Sequence, residues 1–295
     1  MVSHARNWTT GRSAAGTAYK IRGSGPPLLM VHGFPQTSAM WLPIAERFTA
    51  THTVILADLR GYGESAKPGQ DHPQDCAAYS FRAMAADLFD LMQELGFARY
   101  HLVGHDRGAR AAHRMALDAP GQIASVTLMD IVPTHLLLSD LTHSVAQSYF
   151  HWFFLAQPHP FPERLIASDP DYFFEACLLG WGGAQLDDFP VNQLAAYREA
   201  WRKPETIFGM CQDYRATLKH DLVTDTQDLG RQIECPALVL YGADGAMAQH
   251  YDIASTWAGR LADMRTATIP GGHFFPDTAP DATADALASF LQNCG

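Results

Sequence analysis

The chain has 295 residues, 47% hydrophobic and 18% charged, with a formal net charge of -10. That length and balance suit one large globular domain, or a domain with a sizeable insertion, and exclude a disordered chain. The acidic charge argues against a nucleic-acid partner, and no apolar run approaches the roughly 18 residues that a membrane helix needs.

In chain order, apolar runs bounded by turn residues alternate with helix-period segments. PPLLMVHG (26 to 33) and TVILAD (53 to 58) read as strands, and Phe81 to Leu95 reads as a helix with Met84, Leu88, Leu91, Met92 and Leu95 on one face and Gly96 as its stop. YHLVG (100 to 104) is a strand, Ala109 to Leu117 a helix, and IASVTLMD (123 to 130) a further strand. The rhythm then breaks for roughly ninety residues rich in aromatics and proline, too long for a loop and too apolar for a disordered one. It resumes with CPALVLYG (235 to 242), a helix near 248 to 262, the strand-like RTATIP and a helix over 280 to 292.

The fold class expected is α/β: a mostly parallel central sheet flanked by helices, with an inserted helical cap. Residues 1–133 and 228–295 would form the core, and 134–227 the cap. Cys76, Cys177, Cys211, Cys235 and Cys294 show no CxxC spacing, so buried thiols are expected in place of a disulfide framework or a zinc site. The N-terminus lacks the apolar segment of a secretory signal, so a cytoplasmic protein is expected.

GHDRGAR, 104 to 110, has the spacing of the nucleophile elbow GxSxG, with Asp106 where serine would stand. A serine displacing a leaving group from saturated carbon would leave an uncleavable ether. A carboxylate leaves an ester, which activated water can hydrolyse. Asp106 therefore points to substitution at an sp3 carbon, as in carbon-halogen bonds or epoxides.

His273, in IPGGHFFP after the last strand, is the expected base. Its orienting acid has two candidates: Asp130, at the end of the strand after the elbow, which is favoured, and Asp244, in LVLYGADG. HGFPQ (32 to 36), expected to follow the second strand, would supply an oxyanion hole through the backbone N–H of Phe34, paired with that of Arg107. DLRGYGES, 58 to 65, reads as a scaffold loop.

Arg107 and Arg110 lie three residues apart, one helical turn, and suit a small carboxylate substrate that each could grip in bidentate fashion. In the cap, His151, Trp152 and Tyr214 can donate hydrogen bonds to a departing halide, although by spacing alone such an aromatic stripe reads as core packing.

HGFPQT, GHDRGAR, the Asp130 position, HWFFLAQPHPFPE and GGHFF, in that order, resemble the fluoroacetate (haloacetate) dehalogenases of the α/β-hydrolase superfamily over most of the chain. The resemblance implies Asp106 as nucleophile, His273 as base, Asp130 as its acid, Arg107 and Arg110 on the substrate carboxylate, and His151, Trp152 and Tyr214 on the halide. It further implies that Trp181 lines the pocket and that the protein is a homodimer; the displacement by Asp106 itself calls for no metal or organic cofactor. Two other readings use the same residues. An epoxide hydrolase would employ cap Tyr and His as acids, and a non-catalytic binder would hold a small acid without turnover.

Overall fold

The apolar runs become strands because they pass through the middle of a sheet covered on both faces, where no polar side chain could find water. The computed structural model describes residues 8–181 and 183–294. Its strands are β1 (Thr9–Arg12), β2 (Ala18–Gly23), β3 (Pro27–Val31), β4 (Thr53–Ala57), β5 (Tyr100–His105), β6 (Ile123–Met129), β7 (Ala237–Gly242) and β8 (Met264–Ile269). They form one sheet in the order β1-β2-β4-β3-β5-β6-β7-β8, with β3 to β8 parallel and the β1–β2 and β2–β4 pairs antiparallel. Leu28 to Val31 and Val54 to Ala57 are fully buried.

β1 and β2 are additions to the expected pattern. Their side chains are exposed or half-buried, so they carry no apolar run to betray them. In consequence HGFPQ follows the third strand, not the second.

Ser80 caps helix Phe81–Glu94 by accepting from the Ala83 N–H at 3.3 Å, and this helix packs on helix Arg107–Asp118. The helix expected near 248 to 262 is two short ones, Ala246–His250 and Ile253–Trp257. Tyr251 between them is extended, and Asp252 restarts the helix by accepting from the Ser255 N–H at 3.3 Å.

Between β6 and β7 the described residues contain helices, from Thr134–Ser139 through Leu222–Gln227, and no strand. These helices have an aromatic interior of their own, in which Phe174 stacks on Trp201 at 5.3 Å. All five cysteines are free; three are buried, whereas Cys235 and Cys294 are half-buried. Among the described residues no helix is long and apolar enough to cross a membrane.

Candidate active site

β5 runs into helix Arg107–Asp118 through a turn that only small residues allow. Cβ atoms added at Gly104 and Gly108 would stand 2.4 Å from Gly108 O and 2.3 Å from Val31 O. The turn forces Asp106 to φ +46, a conformation costly for a residue with a side chain, and lifts its carboxylate off the end of the sheet. Asp106 Oδ2 accepts the backbone N–H of Phe34 at 3.0 Å. Burial alone would raise the Asp106 pKa, but His273, Arg107, His105 and Arg110 outweigh it and hold the carboxyl below its usual range.

Asp130, just past β6, also has positive φ, +52. One of its oxygens accepts the Gly242 N–H at 3.0 Å and the other bonds His273 Nδ1 at 2.6 Å. Asp244 is exposed, so of the two acids it is Asp130 that the structure brings to His273. Burial would lower the His273 pKa, but the Asp130 hydrogen bond and the charges of Asp130 and Asp106 outweigh it and raise it above the ordinary histidine value.

His105, which motif reasoning passed over, bonds the His273 carbonyl through Nε2 at 2.8 Å. Burial pushes its pKa down to about 4. It is therefore neutral at physiological pH, and its N–H donates to that carbonyl and anchors the loop that carries His273.

The two arginines are both enclosed, yet they are not equivalent. Arg107 turns its forked edge away to Asp213, with Nε donating to Oδ2 at 2.8 Å and Nη2 to Oδ1 and to Thr217 Oγ1. Tyr62 Oη donates to the same carboxylate at 2.7 Å. A bidentate grip by Arg107 on a ligand is thereby ruled out in this arrangement, because only Nη1 is left unpartnered.

Arg110 anchors Nη1 on Val132 O at 3.0 Å and Thr134 Oγ1 at 2.9 Å, leaving Nε and Nη2, its own forked edge, buried without partners. Burial, and after it the neighbouring Arg107, push its pKa down to about 10. Neither arginine serves Asp118, which Arg114 and Arg82 hold. The signal for Asp213 lies in a long-range pairing that no local spacing announces. DLRGYGES is largely a scaffold, as expected, with Asp58 accepting from the Ser38 and Glu64 N–H groups at 2.7 and 2.9 Å.

His151, Trp152 and Tyr214 come together above Phe34. Ring centres lie 5.4 Å apart for His151 and Tyr214, 5.6 Å for Trp152 and Tyr214, and 5.5 Å for Phe34 and His151. Burial holds the His151 pKa well below the ordinary value and its Nδ1 is unpartnered; burial likewise keeps Tyr214 a neutral phenol.

The guanidinium groups of Arg107 and Arg110 both stand against the Trp152 ring, 5.2 and 4.7 Å from its centre. Trp181 bridges His151 at 4.3 Å and His273 at 5.6 Å, and its Nε1 donates to Ser148 O at 2.7 Å. It is a wall of the site and has no N–H to spare. Among the described residues no group of His, Cys, Asp and Glu could hold a metal ion.

The sequence matches the alpha/beta hydrolase fold family over residues 26–280. It is 51% identical to a fluoroacetate dehalogenase of Burkholderia sp over 275 residues, 92% of this chain and 89% of that protein. A soluble epoxide hydrolase of Corynebacterium sp. (strain C12) is 26% identical over 278 residues, 92% of each chain. Among solved structures, an alpha/beta hydrolase from Nostoc sp PCC 7120 superposes with a TM-score of 0.93 at 40% identity, covering 98% of both chains. The chain belongs to the alpha/beta hydrolase fold family and, within it, to the family of fluoroacetate dehalogenase.

Proposed function

We propose that this protein hydrolyses the carbon-halogen bond of small 2-haloacids such as fluoroacetate and chloroacetate, giving glycolate and halide. The observation that carries the reading is an elbow aspartate beside two buried arginines whose remaining N–H groups have no protein partner. The relative of 51% identity supports it. An anionic substrate about 4 Å from Asp106 meets repulsion on the order of 4 kcal/mol at an effective dielectric of about 20, which the guanidinium groups offset.

Asp106 attacks the halogen-bearing carbon in line, forming an ester as the halide leaves toward His151, Trp152 and Tyr214. Esterification removes the Asp106 charge, one of the influences that raises the His273 pKa. The imidazole thus becomes a free base at the moment when water must be deprotonated. Water attacks the Asp106 carbonyl, the N–H groups of Phe34 and Arg107 steady the oxyanion, and glycolate departs. Asp130 orients His273 throughout.

Residues 134–227 act as the cap between core segments 1–133 and 228–295. The protein works in the cytoplasm as a homodimer without a cofactor.

An epoxide hydrolase would share the aspartate and the water step, but a neutral epoxide gives the free N–H groups of Arg107 and Arg110 nothing to bind. Halide release from fluoroacetate and chloroacetate by wild type and Asp106→Asn, beside turnover of a neutral epoxide, tests the reading. Release by wild type alone is expected; turnover of only the epoxide would contradict it.

A further inference from the structure

Tyr149, at the end of helix His143–Ser148, is 4% exposed and takes no part in the reaction described above. Its ring stacks on Trp181, 6.1 Å between centres at 16°, and lies 5.9 Å from His151. Its hydroxyl is buried and has no hydrogen-bond partner, a costly state for a group that cannot reach water. Burial, followed by the charges of Asp130 and Asp106, keeps it protonated, while Arg110 pulls the other way. The hydroxyl is therefore a neutral donor.

Arg110 offers Nε and Nη2, which are also buried and unpartnered. Donors from two separate elements, one in the core and one in the cap, are thus each buried without a protein acceptor, and a chain of rings, His151, Tyr214 and Trp152, runs from Tyr149 to the Arg110 guanidinium. Asp106, whose Oδ2 already takes the Phe34 N–H, is the attacking group and stands at the other end of a two-carbon acid. We infer that Tyr149 is a ligand of the substrate carboxylate, donating its phenolic hydrogen to the oxygen pair that Arg110 holds. The assignment rests on the haloacid reading for the identity of the substrate, although it concerns only the carboxylate end.

Tyr149→Phe keeps the ring and its stack on Trp181 while removing the hydroxyl, so thermal melting of the variant should match wild type. Acetate, which has the carboxylate but no leaving group, is the binding probe, measured by calorimetry alongside chloroacetate kinetics. The acetate dissociation constant and the chloroacetate KM should each rise about tenfold, with kcat within roughly twofold of wild type. Unchanged acetate affinity would overturn the assignment. If kcat instead fell while the ester accumulated on Asp106, the hydroxyl would belong to the hydrolytic water. If wild type bound acetate with this dependence on Tyr149 yet released no halide, the dehalogenase reading would fail and the carboxylate ligand would stand.

Discussion

Arg107 is tied to Asp213 by two hydrogen bonds along the forked edge of its guanidinium, in a pair from which water is wholly excluded. The pair joins the helix after the elbow to a cap helix, Pro204–Ala216, and holds Arg107 protonated, above its ordinary range. Breaking one side of such a pair leaves a buried charge without compensation. Asp213→Ala should therefore lower stability by about 3 to 5 kcal/mol, read by urea unfolding. Asp213→Asn, which keeps the shape and one acceptor, should cost less.

The unequal commitments of the arginines separate their mutants. Arg110 has its forked edge free and Arg107 only one N–H group. Arg110→Gln should raise the chloroacetate KM by on the order of a hundredfold, as expected for loss of a charge-assisted pair worth about 3 kcal/mol. Arg110→Lys should recover only part of this, because an ammonium cannot present two parallel N–H bonds. Equal KM values for Arg110→Gln and wild type would remove Arg110 from the carboxylate site.

The pH dependence should lie in the second half-reaction. Asp106 is held below the usual carboxylate range, so the nucleophile stays ionised across the acidic limb. His273, raised in the free enzyme by Asp130 and Asp106, loses the Asp106 contribution in the ester. As pH falls through the lowered His273 pKa of the ester, hydrolysis should slow while halide release continues. Rapid-quench experiments on the acidic limb should show a halide burst followed by a slower steady rate, whereas a uniform loss without a burst would place the titration elsewhere.

The elbow tolerates no side chain at its glycines. Gly108→Ala would put a methyl group 2.3 Å from Val31 O, a clash with backbone that cannot swing aside. It should destabilise the fold by about 3 kcal/mol or more and reduce soluble expression, and a melting temperature equal to wild type would contradict the close packing.

Much of this was legible in the chain because local chemistry repeats. β3, β4 and β7 carry unbroken apolar runs, and the elbow, with its glycines and aspartate, is written in seven consecutive residues. Chain order delivered His273 to the same place. β1, at the edge of the sheet, and β2 beside it carry no such run because both are exposed or half-open to water. The diversion of Arg107 to Asp213, the anchoring of the His273 loop by His105 and the unpartnered Tyr149 hydroxyl are all contacts between residues far apart in the chain. Such contacts depend on three-dimensional packing, and spacing carries no trace of them. The choice between Asp130 and Asp244 likewise turned on which carboxylate is buried beside His273.

The central proposal is that Asp106 becomes an ester which His273 then hydrolyses, and His273→Asn isolates the first step from the second. Incubated with chloroacetate, this variant should release one equivalent of chloride per active chain and stop. The peptide containing Asp106 should then carry a carboxymethyl group by mass spectrometry. Sustained turnover at the wild-type rate, or chloride release with Asp106 unmodified, would contradict the covalent mechanism.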